Sequence, residues 1–174
     1  MRHTLLAFAV ILTACHRGTT YPAPIPAIAG QSRTLFELRA MEVAQGSGRA
    51  LQPGNCAYVH YTGWLTDGKK FDSSRDTMAN GTPKTPISFP QGARRVIAGW
   101  DLGFEGMNVG GRRRLIIPYQ LAYGERGRPP TIPPRATLVF DVELMAVADT
   151  VPRTATPGSP PPTVPQCAPW SAVK

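Results

Sequence analysis

The sequence predicts an α+β domain in which an antiparallel sheet half-wraps one short helix. Three observations carry that prediction. Residues 56–65 and 137–144 are rich in aromatic and β-branched residues, and the second run alternates: Leu138, Phe140, Val142 and Leu144 face one way, Thr137, Val139, Asp141 and Glu143 the other. Asp67-Gly68 reads as a hairpin turn, because glycine tolerates positive φ. Only residues 94–105 space their apolar side chains (Val96, Ile97, Trp100, Phe104) as a helix does.

In chain order, Leu35-Phe36-Glu37-Leu38-Arg39 opens the first strand-like stretch, punctuated by turns at Gln45-Gly46-Ser47-Gly48 and Pro53-Gly54. The run at 56–65 follows, and residues 69–74 return from the Asp67-Gly68 turn. Residues 77–86 are polar, contain Asn80-Gly81 and read as a surface loop. Gly106 is placed to end the helix, and residues 112–117 form a strand stopped by Pro118. A long loop, 119–135, then leads to the closing strand.

The chain of 174 residues has one domain of ordinary size, 34–147, between two tails. Residues 1–14 have the layout of a signal peptide: Arg2 and His3, an apolar run from Leu5 to Leu12, then small residues. That run is far short of the roughly 20 apolar residues that span a bilayer. Leu12-Thr13-Ala14-Cys15 resembles a bacterial lipobox, whose cysteine is lipidated and becomes the mature N-terminus. On that resemblance Cys15 would anchor the protein to a membrane by buried methylenes, each contributing about 0.8 kcal/mol. By resemblance to lipoprotein sorting, His16 in place of aspartate would favour the outer membrane, facing the periplasm, in an envelope that has one. Residues 15–33 suit an extended tether, and 148–174, rich in proline, have too little apolar content to fold.

The net charge is +8, and removal of Arg2 with the leader lowers it by one. Basic surface arginine aiding solubility is the ordinary reading of such a charge. Arg112-Arg113-Arg114 lies on a strand, so its side chains alternate between faces and form no continuous surface for nucleic acid. Cys56 sits in an apolar-alternating run and reads as a small buried hydrophobe, although an oxidising compartment would permit a bridge to Cys167. No Cys/His spacing suggests a metal. His60, the only histidine of the domain, sits mid-strand with no nucleophile set beside it. Neither a P-loop nor a complete G-x-G-x-x-G occurs.

The distinctive strings are Val59-His60-Tyr61-Thr62-Gly63, Lys70-Phe71-Asp72-Ser73-Ser74, Val96-Ile97-Ala98-Gly99-Trp100, Leu121-Ala122-Tyr123-Gly124, and Ile132-Pro133-Pro134 leading to Leu144. In this order they resemble the FKBP-type peptidyl-prolyl isomerases over residues 34–147. The resemblance implies a five- or six-stranded half-barrel sheet around one helix and turnover of proline-containing polypeptides, with no cofactor. It also implies inhibition by macrolides of the rapamycin type. Trp100 would be the pocket floor, and Tyr61, Phe71, Val96, Ile97 and Phe140 its walls, with further substrate contacts from Ile87, Phe89 and Ile132. The Ile97 N–H and the Tyr123 hydroxyl would donate to ligand carbonyls, and Asp72 would bond the Tyr61 hydroxyl at the pocket edge. Tyr61, Asp72, Tyr123 and Phe140 are the residues expected to matter most for turnover. Ile87 stands where the family often has an aromatic residue, and Arg128 and Thr131 where it often has histidine or apolar residues. These departures bear on substrate preference and macrolide affinity. Two functions follow: an envelope foldase for exported proteins, or an adaptor that binds proline peptides with incidental turnover.

Overall fold

The computed structural model describes residues 37–150 and 165–173. The leader at 1–14, Cys15, the tether at 15–33 and the Leu35-Phe36 pair lie outside the described residues.

Six strands form one antiparallel sheet: β1 Arg39–Ala44, β2 Cys56–Leu65, β3 Lys70–Ser73, β4 Ile87–Pro90, β5 Arg112–Ile117 and β6 Leu138–Ala148. The order is β1-β5-β6-β2-β3, with β4 also on β2, and the helix α1, Ala98–Gly103, packs on the concave face. The α+β half-barrel expected from the sequence is the observed fold. Alternation in β6 buries Leu138, Phe140, Val142 and Leu144, each at most 3% exposed, against Val59, Leu115, Ile117, Trp100 and Phe104. α1 approaches closely because it presents glycines: a Cβ on Gly99 would lie 2.3 Å from Ile117, and one on Gly103 would lie 2.6 Å from Leu115.

Four local expectations are corrected. Within the described residues the first strand runs over Arg39–Ala44, leaving Glu37 and Leu38 outside it, because register with β5 selects it: Arg39 pairs with Ile116 and Glu42 with Arg113. β4 is a strand of four residues that the sequence does not announce. The helix starts at Ala98 and not at Arg94. Ahead of it the Asp101 carboxylate accepts hydrogen bonds from the Gly92 and Arg94 N–H groups, at 3.0 and 3.1 Å, and holds that segment as a loop.

The fourth correction concerns the C-terminal tail, where composition predicts no structure. Residues 165–173 instead dock on the convex face of the sheet at the start of β2. Cys56 is bridged to Cys167, the Tyr58 hydroxyl donates to the Ala168 carbonyl at 2.7 Å, and the Tyr58 and Trp170 rings lie 5.7 Å apart. Cys56 is therefore a disulfide partner and not a free buried hydrophobe. It and Tyr58 point away from α1, and the tail accounts for their complete burial.

The arginine run splits as alternation requires. Arg113 pairs with Glu42 and donates to the Gly103 carbonyl, while Arg114 makes a two-pronged pair with Asp141 at 2.6 and 2.7 Å.

Candidate active site

The two edges of β2 are used differently, and this creates the site. One edge pairs with β6 throughout. On the other, β4 covers the first part (Val59 opposite Ile87) and β3 the second (Thr62 opposite Ser73). Tyr61 falls at the gap between β4 and β3, on the concave side with Val59 and Gly63.

Trp100, 4% exposed, lies beneath Tyr61, with the ring centroids 5.1 Å apart and nearly perpendicular. Phe140 from β6 stands edge-to-face on Trp100 at 5.3 Å and on Phe71 of β3 at 5.5 Å. Such edge-to-face pairs stabilise by about 0.5–1.5 kcal/mol each beyond burial, so the walls hold one another upright. Gly63 makes room for the last pair, because a Cβ there would sit 2.6 Å from Phe71 and 2.8 Å from Phe140.

The rings surround an open cavity of about 600 Å³. It is bordered by nine of the expected residues: Tyr61, Phe71, Asp72, Ile87, Val96, Ile97, Trp100, Tyr123 and Phe140. Two do not border it. Phe89 shares a face of β4 with Ile87 but sits two residues deeper, 2% exposed, packed against both Trp100 and Phe104 with ring centroids 5.7 and 5.5 Å away. Ile132 is 3% exposed within the core. Both support the walls from behind. Ala98, Ala122, Arg94, Arg95 and Arg128 complete the lining. Of these, only Arg128 was legible as a rim position. Arg94 is brought there by a backbone φ of 54°, uncommon for a residue with a side chain, and no local sequence signal announces it.

The polar groups are few. The Tyr61 hydroxyl donates to Asp72 Oδ2, and Asp72 Oδ1 accepts from the Ser73 N–H at 2.8 Å. Lys84, in the 77–86 loop, donates to the Ser73 carbonyl at 2.9 Å and sits 3.9 Å from Asp72 Oδ1. Burial first, then the Asp72 carboxylate, push the Tyr61 phenol well above its ordinary value, so it stays a proton donor. Neither the Ile97 N–H nor the Tyr123 hydroxyl has a hydrogen-bond partner among the described residues, and both residues border the cavity. The Ile97 carbonyl is engaged, accepting from the Trp100 N–H at 2.9 Å to start α1.

His60 faces the other side of β2. Its Nδ1 lies 3.0 Å from Ser74 Oγ, but Ser74 is 2% exposed and its hydroxyl also accepts from the Tyr61 N–H at 2.8 Å. The pair ties the chain just after β3 to β2, and its hydroxyl is closed to substrate. Burial, then the Arg75 guanidinium, lower the His60 pKa.

Residues 47–145 match the family model of the FKBP-type peptidyl-prolyl cis-trans isomerases. The chain is 46% identical over 106 residues to an FK506-binding protein of Neisseria meningitidis serogroup A, a match covering 61% of this chain and 92% of that one. It is 50% identical over 111 residues to FK506-binding protein 4 of Dictyostelium discoideum, covering 64% of this chain and 28% of the longer protein. Among solved structures, FkpA from Escherichia coli superposes with a TM-score of 0.55 at 42% identity, covering 64% of this chain and 48% of that one.

Proposed function

The chain belongs to the FKBP-type peptidyl-prolyl cis-trans isomerase family, and from that premise we propose that it accelerates the folding of exported proteins from a lipid anchor at Cys15. The observation that carries the isomerase reading is the aromatic cavity with two unengaged donors on its wall. An X–Pro bond rotates over a barrier of about 18–20 kcal/mol because planar resonance must be broken. The planar amide is the more dipolar form, and the twisted transition state has lost part of its charge separation. A water-poor pocket walled by Tyr61, Phe71, Trp100 and Phe140 therefore disfavours the ground state more than the twisted one, which is catalysis by differential binding. The Ile97 N–H and the Tyr123 hydroxyl are set to hold the carbonyls flanking the rotating bond. Asp72 orients the Tyr61 hydroxyl, which donates at every physiological pH. The route needs no covalent intermediate.

The setting rests on two further features. The Cys56–Cys167 bridge is of the kind that persists in oxidising compartments, and Leu12-Thr13-Ala14-Cys15 has the form of a lipobox. Together they support an envelope protein, with His16 favouring the outer membrane and a domain facing the periplasm. Ile87, 36% exposed at the mouth, gives a macrolide of the rapamycin type less aromatic surface than a ring would.

A protease-free assay on X–Pro peptides tests the activity. Tyr61→Ala, Asp72→Ala and Phe140→Ala should each slow isomerisation at least several-fold. A chain folded by circular dichroism yet inert on every peptide would refute the isomerase reading. Incorporation of labelled palmitate, abolished by Cys15→Ala, tests the anchor.

A further inference from the structure

We propose that Arg94, Arg95 and Arg128 make the mouth of the cavity selective for polypeptides with an acidic side chain next to the isomerised proline. The inference rests on the isomerase reading and names its substrate class. All three arginines line the cavity and are exposed at its mouth. They come from two elements, the loop before α1 and the loop between β5 and β6, so positive charge stands on both sides of the opening.

None of the three has an acidic partner among the described residues, whereas Arg39, Arg49, Arg75, Arg113, Arg114 and Arg135 are ion-paired elsewhere; Arg112 and Arg126 are likewise unpaired among the described residues but do not border the cavity. The acidic groups nearest the mouth are already committed. Asp72 serves the Tyr61 hydroxyl, the Ser73 N–H and Lys84. Asp101 gives its two oxygens to the Gly92 and Arg94 N–H groups, and Glu125 pairs with Arg135. Asp101 thereby holds Arg94 in its left-handed backbone conformation, which a non-glycine residue keeps only when the surroundings impose it. The Arg128 charge reaches into the site, acting on the Tyr61 phenol in the direction opposite to Asp72.

Low-dielectric aromatic walls behind a ring of one charge sign focus its field on the opening. A carboxylate beside the bound proline meets guanidiniums with no intramolecular competitor, and a lysine there meets like charge. At low salt this separates Glu-flanked from Lys-flanked proline peptides by roughly tenfold in kcat/KM, and screening reduces the ratio as ionic strength rises.

The test measures kcat/KM of the chain on proline peptides flanked by Leu, Glu or Lys, at about 20 mM and about 500 mM salt. It is repeated on the Arg94→Gln/Arg95→Gln/Arg128→Gln variant. The expected result is a Glu-to-Lys ratio of about ten at low salt, collapsing toward one both at high salt and in the variant. The salt arm stands even if the triple variant folds poorly. Glu and Lys peptides within twofold of each other at low salt, with the Leu peptide turned over, would overturn the selectivity and leave the isomerase reading intact. A folded chain inert on all three peptides would overturn both.

Discussion

Gly63→Ala tests whether the upright Phe71–Phe140 pair governs turnover. The added methyl would lie 2.6 Å from Phe71 Cζ and 2.8 Å from Phe140 Cε1. Carbon atoms rest about 3.5–4.0 Å apart, so each contact is short by about 1 Å and at least one ring or the β2 backbone must give way. Phe140 is 3% exposed and locked by Trp100 and Tyr61, whereas Phe71 is half-buried on a four-residue strand at the sheet end of β2. Phe71 therefore yields, and the cavity changes shape at that wall. Overpacking of this kind destabilises by about 1–3 kcal/mol, about 4–12 °C in Tm for a domain of this size. The fold survives, and kcat/KM should fall by roughly tenfold, since a misplacement of about 1 Å is enough to lose that much or more. Gly103→Ala is the matched control. Its methyl would lie 2.6 Å from Leu115, a comparable clash outside the cavity lining. Thermal melts and the protease-free assay on both variants separate the effects. If Gly63→Ala and Gly103→Ala lose stability alike and both keep kcat/KM within twofold of wild type, the ring pair does not control turnover.

Three other perturbations have definite outcomes. Cys56→Ser/Cys167→Ser opens a loop whose ends are 111 residues apart, which chain entropy translates into a loss of about 4–5 kcal/mol in urea unfolding. Its turnover should hardly change, because Tyr61 lies five residues along β2 from Cys56, about 17 Å away. The Tyr61 phenol, with its folded pKa raised, keeps its proton while an unfolded tyrosine would lose it. Its contribution to stability is thus complete below pH 10 and is lost as pH rises above that value; absorbance at about 295 nm should show Tyr61 and the buried Tyr58 titrating late, and Asp72→Asn should bring only the Tyr61 step earlier. His60 behaves in the opposite sense. With its folded pKa below 6.5, the unfolded chain binds the extra proton, so stability should fall as pH drops below 6.5, and His60→Gln should flatten that slope in urea titrations.

The parts of the fold legible in the sequence are those where burial imposes a period. β5 and β6 show it because each packs one face on the core, whereas β2, buried on both faces over residues 56–59, is marked by its aromatic and β-branched content; the ends of all three fall within a few residues of the reading. β1 has no such signature, because every residue in Arg39–Ala44 is exposed and only pairing with β5 defines it. β4 is four residues ending in a proline, too short for a period. The helix start is not legible in the spacing because Asp101 acts backwards on Gly92 and Arg94 from inside the helix, so Val96 and Ile97 share its apolar spacing without its backbone. The docked tail is invisible to composition, since its anchor is a disulfide to a cysteine 111 residues away.

The site divides along the same line. Its aromatic walls were legible because each motif residue has a packing reason that sequence order preserves: Gly63 stands opposite Phe140 in register, and Asp72 stands opposite Gly63. The depth at which a side chain stops was not legible. Ile87 and Phe89 occupy the same face of one strand, yet only the first reaches the cavity, because the second meets Trp100 and Phe104. The mouth was least legible, since loops carry Arg94, Arg95 and Arg128 there and no period constrains a loop. A catalyst that works by excluding water and holding two carbonyls needs its walls fixed by the core, whereas its mouth can vary without disturbing them. Substitutions at the walls should therefore alter stability and turnover together. Substitutions at the three arginines should alter which peptides are turned over at little change in Tm, because the guanidiniums have no acidic partner among the described residues to lose.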